Sequence, residues 1–314
     1  MSRPSIKISV RKLPRISVII PAKNEQDAIA ATVQRCKESL EGIDHEVIVV
    51  DASTDNTPAE AMRAGAKLVK QIGQGGVGEA LVQGFYWARS EHIVFFDGDG
   101  TYDPADLHKL IDPLLNDEAD FVNGNRFADM EKGAMPLTNR IGNYFLTWIG
   151  NLLFHTHLRD SQSGMKAFKK NLLRFMSLSE RGFPFCSELL AEASSLGLRI
   201  VEVGISYKRR IGKSKLRPVS VGPSILWASL KVLRDYDPLL LFVGIGLLLL
   251  AAGFYAAWPV ITEYVTQGTF RLLGRALAAI FCWFSGILSI FTGFILDAVK
   301  YTVKKMEARL SAQS

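Results

Sequence analysis

Apolar positions in this chain follow two patterns: short β-like runs in the first hundred residues and long unbroken runs near the end. Residues 16–20 (ISVII), 46–50 (EVIVV) and 92–96 (HIVFF) are short, β-branched or aromatic, and almost continuously apolar. Such runs predict parallel strands covered on both faces. Good helix formers fill residues 25–40 between the first two, and Asp55, Asn56 and Thr57 before Pro58 supply start signals for a second helix. The β-α-β-α-β order predicts an α/β layered domain with a mostly parallel sheet.

The last quarter reads differently. Residues 239–258 are twenty positions without a charge, and residues 276–296 are twenty-one more, bounded by Arg275 and Asp297. A helix of that length spans about 30 Å, the thickness of a bilayer's hydrocarbon core. Two such runs argue against a buried core helix and for a two-span hairpin. Lys208, Arg209, Arg210, Lys213, Lys215, Arg217, Lys231 and Arg234 precede the first run, and Lys300, Lys304, Lys305 and Arg309 follow the second. Only Arg271 and Arg275 are basic between them, so the positive-inside rule puts both ends in the cytoplasm and a loop of residues 259–275 outside. The expected organisation is a tail over 1–14, an α/β domain over 15–220, a juxtamembrane amphipathic segment over 221–237, a hairpin over 238–298 and a cytosolic tail over 299–314.

Composition sharpens this division. Hydrophobic residues are 48% of 314, which excludes a disordered or collagen-like chain. The mean hydropathy of +0.14 comes largely from the two long runs and their flanks. Net charge is +6, from 37 Lys and Arg against 31 Asp and Glu. Because these bases concentrate around residues 208–234 and the C-terminal tail, they read as a membrane and phosphate surface, with no nucleic-acid partner. Cys36, Cys186 and Cys282 are far apart and form no CxxC pair, so neither a disulfide framework nor a zinc finger is expected. The first fourteen residues are basic and lack a signal peptide's apolar run.

Ligands of open α/β sheets collect at the carboxyl ends of strands. There this chain places Pro21, Ala22, Lys23, Asn24 and Glu25 after the first strand, and Asp51, Ala52, Ser53, Thr54 and Asp55 at the second. Asp97, Gly98 and Asp99 follow the third. Clustered carboxylates without a matching His or Cys cluster suit Mg²⁺ or Mn²⁺, which commonly bridges to nucleotide phosphates.

These motifs resemble those of family 2 glycosyltransferases of GT-A fold, and specifically of the polyprenyl-phosphate glycosyltransferases typified by dolichyl-phosphate mannose synthase. The resemblance covers about residues 16–216. PAKNE and DASTD correspond to the family's nucleotide-binding segments, and DGD to its metal-binding D-x-D. Gly124-Asn125-Arg126, Asn139-Arg140, DSQSGMK over 160–166, GFPFCSE over 182–188 and YKRRIGKSKL over 207–216 follow in family order. The resemblance implies a Rossmann-like GT-A domain and a nucleotide-sugar donor, GDP- or UDP-linked. Pro21, Ala22, Lys23, Asn24, Glu25, Asp51, Ser53, Asp97, Gly98, Asp99, Arg209, Arg210 and Lys215 would hold that donor. Asp97 and Asp99 would bind the metal, with Thr101 at the position where the family carries a Gln. Arg126 and Arg140, with Asn143, would hold the phosphate of a dolichyl- or undecaprenyl-type acceptor, and Asp99, Arg126 and Arg140 would carry catalysis.

The chemistry also follows from charge. A departing diphosphate needs a cation and nearby bases. A lipid phosphate is mostly dianionic at pH 7 and is already a nucleophile, so it needs positive charge more than a general base. Direct displacement with inversion follows, with Glu188 in a structural or orienting role. Residues 143–158 carry Asn143, Thr147, Asn151 and His155 as a polar stripe on an apolar helix. Leu226, Leu230 and Leu233 share one face of residues 221–236. Both suit interfacial helices, or else packing on the domain.

Other signals carry less. Gly73, Gly75 and Gly78 spell G-x-G-x-x-G, but they follow a short strand that is not the domain's first, so a nicotinamide site is rejected in favour of a turn near the donor. A processive polysaccharide synthase would need a Q-x-x-R-W motif that the chain lacks. A catalytically dead scaffold would not need D-x-D, GNR and RRIGKSKL together. Self-association of the spans is left open, since no small-xxx-small face directs a dimer.

Overall fold

The computed structural model describes residues 15–73, 75–154, 156–178, 182, 185–211, 234 and 237–311. They fall into two compact units, divided between residues 225 and 226. The juxtamembrane segment, apart from Arg234 and Asp237, lies outside the described residues, as do Lys215 and His155.

In the first unit the predicted strands form as β1 (Ile16–Ala22), β2 (His45–Asp51) and, after an edge strand β3 (Lys67–Lys70), β4 (His92–Phe95). All four run parallel. Three further strands, β5 (Phe121–Met130), β6 (Lys166–Lys169) and β7 (Ile200–Tyr207), complete a sheet of order β3-β2-β1-β4-β6-β5-β7. Only β6 runs antiparallel to its neighbours β4 and β5. The order reverses between β1, whose partners are β2 and β4, and the later strands, which opens a crevice at the carboxyl ends of β1 and β4.

Alternation along the strands feeds two cores. Val18 and Ile20 of β1 face one core with Val33 of α1 (Ile29–Ser39) and Leu110 of α4 (Leu107–Leu115). Ile19 faces the other, with Phe85 of α3 (Val77–Trp87), Phe95, Phe168, and Leu189 of α6 (Phe185–Ser195). With both faces covered, the strands have no polar side to show. Gly84 lets α3 lie directly on the sheet, since a Cβ there would sit 2.2 Å from Ile19 Cγ2.

Helix starts differ from expectation. α1 begins at Ile29, not Glu25, because the Glu25 amide donates to Thr57 Oγ1 at 2.8 Å and residues 25–28 form a turn. The short α2 (Thr57–Arg63) starts with Pro58 in its first turn, as expected. α5 (Leu137–Phe154) begins six residues before the expected start at Asn143 and stops before Leu158. Its polar stripe faces the domain. Thr147 is buried against Ser161 Oγ at 3.1 Å, and Asn151 bonds both the amide (3.0 Å) and the carbonyl (2.8 Å) of Leu158. Leu137, Ile141, Phe145, Trp148 and Leu152 are left exposed along the helix.

The second unit is a helical hairpin of α7 (Pro238–Gln267) and α8 (Leu273–Ser311), each long and apolar enough to cross a membrane. Glycines form its seam: a Cβ on Gly246 would meet Gly286 O at 2.7 Å, and one on Gly253 would meet Trp283 Cδ1 at 2.5 Å. The connection is much shorter than the expected loop over 259–275. α7 continues through Pro259 and ends at a left-handed Gly268, whose amide donates to Tyr264 O at 3.0 Å. A proline inside an apolar helix is tolerated when nearby groups take up the freed backbone. The carbonyl that Pro259 leaves without its helical partner is that of Tyr255; Thr262 Oγ1 makes separate back-bonds to the carbonyls of Trp258 and Pro259, each at 3.0 Å.

Candidate active site

The loops that follow β1 and β2 are stitched to each other. Asn24 adopts φ +53°, a left-handed conformation that Asn tolerates better than most residues. Its amide donates to Ser53 Oγ at 2.7 Å, and its side-chain oxygen accepts from the Thr54 amide at 2.8 Å. Pro21 and Ala22 end β1, where the Ala22 carbonyl accepts from the Ala52 amide at 3.0 Å. Lys23 is exposed at the rim. Asp51 ends β2 and is buried, yet its Oδ1 has no hydrogen-bond partner among the described residues. A buried carboxylate oxygen with open lone pairs is a strong acceptor for a hydrogen-bond donor.

Asp97, Gly98 and Asp99 follow β4 directly. Gly98 is needed for close approach, because a Cβ would lie 2.9 Å from Ile20 Cγ2 of β1. Asp99 is held in orientation by Thr101, whose amide (3.1 Å) and hydroxyl (2.6 Å) both donate to Asp99 Oδ1. Burial pushes the Asp97 carboxyl well above the usual carboxylate range, with the charges of Asp99 and Glu25 adding to it and Arg126 and Arg210 opposing. Three carboxylates therefore crowd one pocket. Among the described residues no group of three His, Cys, Asp or Glu forms a complete metal cage. Asp97 and Asp99 offer oxygen donors of the kind that suits Mg²⁺ or Mn²⁺, which is commonly held by one or two carboxylates and completed by substrate phosphates and water.

Arg126, on β5, is buried behind this edge. Its Nε and Nη2 donate to Asp160 Oδ2 and Oδ1, both at 2.7 Å, and its backbone amide donates to Asp160 Oδ2 at 3.0 Å. Its guanidinium also lies over the Tyr207 ring, 5.5 Å from the centroid. Burial works against its charge, but Tyr102 and the hydrogen bonds and charge of Asp160 outweigh it, so the guanidinium is held more firmly protonated than usual.

Asp160 is aimed by a second layer. Glu202 accepts from the Arg159 amide (2.9 Å) and the Asp160 amide (3.0 Å), while Asn123 Nδ2 donates to Asp160 O at 2.9 Å. Fully buried Lys166 bonds Asn123 Oδ1 and, at 3.1 Å, Ser161 O. Burial pulls the Lys166 ammonium down to about 8, against the charges of Cys186 and Asp160. The loop closes on the carboxylates at Gly164, whose amide donates to Tyr102 Oη at 2.7 Å and where a Cβ would lie 3.0 Å from Asp97 Oδ2.

Arg140 and Asn143 lie on α5. Arg140 is exposed, with its guanidinium 5.8 Å from the Phe127 centroid and 5.7 Å from that of Tyr144. Phe127 stacks on Tyr144 at 4.6 Å and so ties the helix to the residue after Arg126. Asn143 Nδ2 contacts Met135 Sδ at 3.2 Å. Glu188 is buried on α6.

The start of the basic segment is zipped onto the turn after Asp99. Lys208 N donates to Thr101 O at 2.8 Å and Ile211 N to Asp99 O at 3.2 Å, while Lys208 Nζ pairs with Asp103 Oδ2 at 2.6 Å. The two arginines between them diverge. Arg210 reaches into the site and pairs with Glu25 Oε1 at 2.5 Å and Asp99 Oδ2 at 3.1 Å. Arg209 turns outward and donates to Lys132 O, from Nε at 3.0 Å and from Nη2 at 2.6 Å. Gly73, Gly75 and Gly76, ahead of α3, have positive φ, and Gly78 lies within the helix.

Residues 17–181 match the family described as Glycosyl transferase family 2. The chain belongs to glycosyl transferase family 2. Membership makes it a glycosyltransferase, and the sheet described above is the family's GT-A-like architecture. Among curated relatives, the low-salt glycan biosynthesis hexosyltransferase Agl6 of Haloferax volcanii is 33% identical over 78% of this chain, and the match covers 60% of Agl6. A dolichyl-phosphate hexose transferase of the same organism is also 33% identical, over 69% of this chain and 93% of its own length. Among solved structures, glucosyl-3-phosphoglycerate synthase from Mycobacterium tuberculosis, in complex with Mg²⁺ and uridine diphosphate, superposes with a TM-score of 0.58. That likeness, at 24% identity over 71% of this chain and 79% of the other, is one of fold. The family match ends at residue 181, before Glu202, Tyr207 and Arg210, which the structure brings to the site.

Asp160 and Glu202 carry little mark of their role in the sequence. Asp160 opens the DSQSGMK segment and is its only acidic residue, which was the one available signal; Glu202 had none.

Proposed function

We propose that this family 2 glycosyltransferase is a membrane enzyme that moves one hexose or N-acetylhexosamine from a UDP- or GDP-sugar to a polyprenyl phosphate. The observation that carries this reading is the meeting of the Asp97 and Asp99 carboxylates with Arg126 at one sheet edge, in a chain that also holds two membrane-length apolar helices. The dolichyl-phosphate hexose transferase relative supports the acceptor class, and the Mg²⁺–uridine diphosphate complex of the structural neighbour supports the donor class.

In this reading Asp51, Ser53 and residues 21–25 hold the nucleoside, and Asp97 and Asp99 would hold Mg²⁺ or Mn²⁺. Bound there, the cation would neutralise charge building on the departing diphosphate. Arg210, with Lys215, supplies further positive charge to those phosphates, whereas Arg209, held on Lys132 O, does not join them. Arg140, with Asn143, receives the acceptor phosphate, for which a guanidinium fork is well shaped, and Arg126, its Nε and Nη2 held by Asp160, adds its positive charge. A phosphate oxygen attacks the anomeric carbon as the bond to the diphosphate breaks, giving inversion without a covalent enzyme intermediate. Because the acceptor arrives as an anion, no side chain needs to remove a proton. Glu188 then orients rather than acts as a base. The exposed apolar face of α5 supports contact with the cytosolic leaflet, where the isoprenoid would stay while its phosphate is presented. The catalytic domain and both termini are read as cytosolic.

The test is a panel assay with purified full-length protein in detergent, labelled UDP- and GDP-sugars, dolichyl or undecaprenyl phosphate, and Mn²⁺ or Mg²⁺. At least one donor is expected to give a lipid-linked monosaccharide that disappears with chelator. No such product with any donor overturns the proposal, and a polymer would favour a processive synthase.

A further inference from the structure

Arg210 lies between the carboxylates of the turn after β4 and the loop after β1. Its Nη1 and Nη2 bridge Asp99 Oδ2 and Glu25 Oε1, one on the turn after β4 and the other on the loop after β1. The bridge spans the two strands that frame the crevice. A guanidinium and a divalent cation compete for the same Asp99 oxygen, and placing both there would set like charges side by side. The bridge is also unsaturated, since Arg210 Nε is buried without a hydrogen-bond partner among the described residues. That leaves the side chain with more donors than the carboxylates accept.

The backbone around Arg210 is pinned by bonds that do not involve its side chain. Lys208 N to Thr101 O (2.8 Å), Ile211 N to Asp99 O (3.2 Å) and Lys208 Nζ to Asp103 (2.6 Å) fix both sides of it. Ile211 packs against Gly100, where a Cβ would lie 2.8 Å from Ile211 Cδ1. The guanidinium can therefore leave Asp99 by rotation about its own side-chain bonds while its Cα stays in place. Phosphate oxygens offer it a richer set of acceptors than the two carboxylates do.

Resting on the donor-site reading above, we propose that Arg210 is the built-in counter-cation of the D-x-D site, displaced when metal and nucleotide diphosphate arrive together. Metal alone must evict a guanidinium that has no better place to go. Metal with diphosphate evicts it onto the phosphates. Metal and nucleotide binding are thus coupled through one side chain, and the coupling is reciprocal.

The experiment follows binding rather than turnover. Full-length protein in detergent is titrated with Mn²⁺, free ion being measured by electron paramagnetic resonance, alone and with saturating UDP or GDP. In the wild type, nucleotide is expected to tighten Mn²⁺ binding about tenfold or more, within the usual range of coupling between sites. Arg210→Gln should bind Mn²⁺ alone about tenfold more tightly and lose most of the gain from nucleotide. Arg210→Lys, which keeps the charge without the fork, should fall between them and guards against a folding defect in the first variant. Unchanged or weaker binding of Mn²⁺ alone by Arg210→Gln, with nucleotide coupling intact, overturns the counter-cation role and leaves the donor site standing. Absence of Mn²⁺ binding to the wild type under both conditions overturns the donor-site reading, and this proposal with it. Asp99→Asn should lose Mn²⁺ in both conditions, which assigns the signal to this site.

Discussion

Replacing Asp99 by Asn is expected to lower the rate of sugar transfer on the order of 10²–10³-fold, as loss of one preorganised electrostatic contact to a charged transition state does. The substitution keeps volume, and its amide oxygen can still accept the bonds that Thr101 donates to Oδ1 at 3.1 and 2.6 Å. What it removes is the negative charge that would hold the cation beside the buried Asp97. The D-x-D turn should stay in place, because its backbone is tied to residues 208–211 and Gly98 packs on β1. Initial rates with the best donor, measured beside thermal unfolding, check both halves. Retained activity would show that the metal lies elsewhere, and a large stability loss would show that Asp99 serves the fold.

Asp160→Ala is expected to act the other way round, on stability first. Asp160 is fully buried and takes three bonds from Arg126, two from the guanidinium and one from the amide. Removing the carboxylate leaves a buried guanidinium without its counter-ion, which costs about 3–5 kcal/mol when one partner of such a pair is lost. For a domain of this size that is a drop in melting temperature on the order of 10 °C. Asp160→Asn should recover part of it, since one acceptor oxygen remains. Thermal unfolding of the full chain decides the matter: a shift within the error of the melt for the Ala variant would mean that Arg126 finds another partner, and that Asp160 does not set its position.

These two carboxylates differ in how visible they are from the chain alone. Asp51, Asp97 and Asp99 are legible because each ends an apolar strand, and parallel strands covered on both faces leave polar residues only at their ends. Asp160 ends no strand. Its partners Arg126 and Glu202 are 34 and 42 positions away, so nothing local marks it. The same reasoning separates Arg209 from Arg210, adjacent and chemically identical in sequence, of which only Arg210 points into the site. Local signals also misplace the start of α1, because the Glu25 amide bonds Thr57, 32 residues on. They misplace the end of α7 as well, because the loop expected to begin at Pro259 is instead helix as far as Gln267. On α5 the polar stripe was legible but its direction was not, since Thr147 and Asn151 bury theirs against the loop that carries Asp160, leaving the apolar face outward.

In the proposed reaction a phosphate, not a hydroxyl, attacks the sugar, with arginines in place of a general base. It is tested most directly by offering the purified enzyme a polyprenyl phosphate and the matching polyprenol side by side, with its preferred donor and Mn²⁺. A single-sugar, acid-labile glycosyl phosphate lipid is expected from the phosphate and none from the alcohol. Transfer to polyprenol at a comparable rate would contradict it.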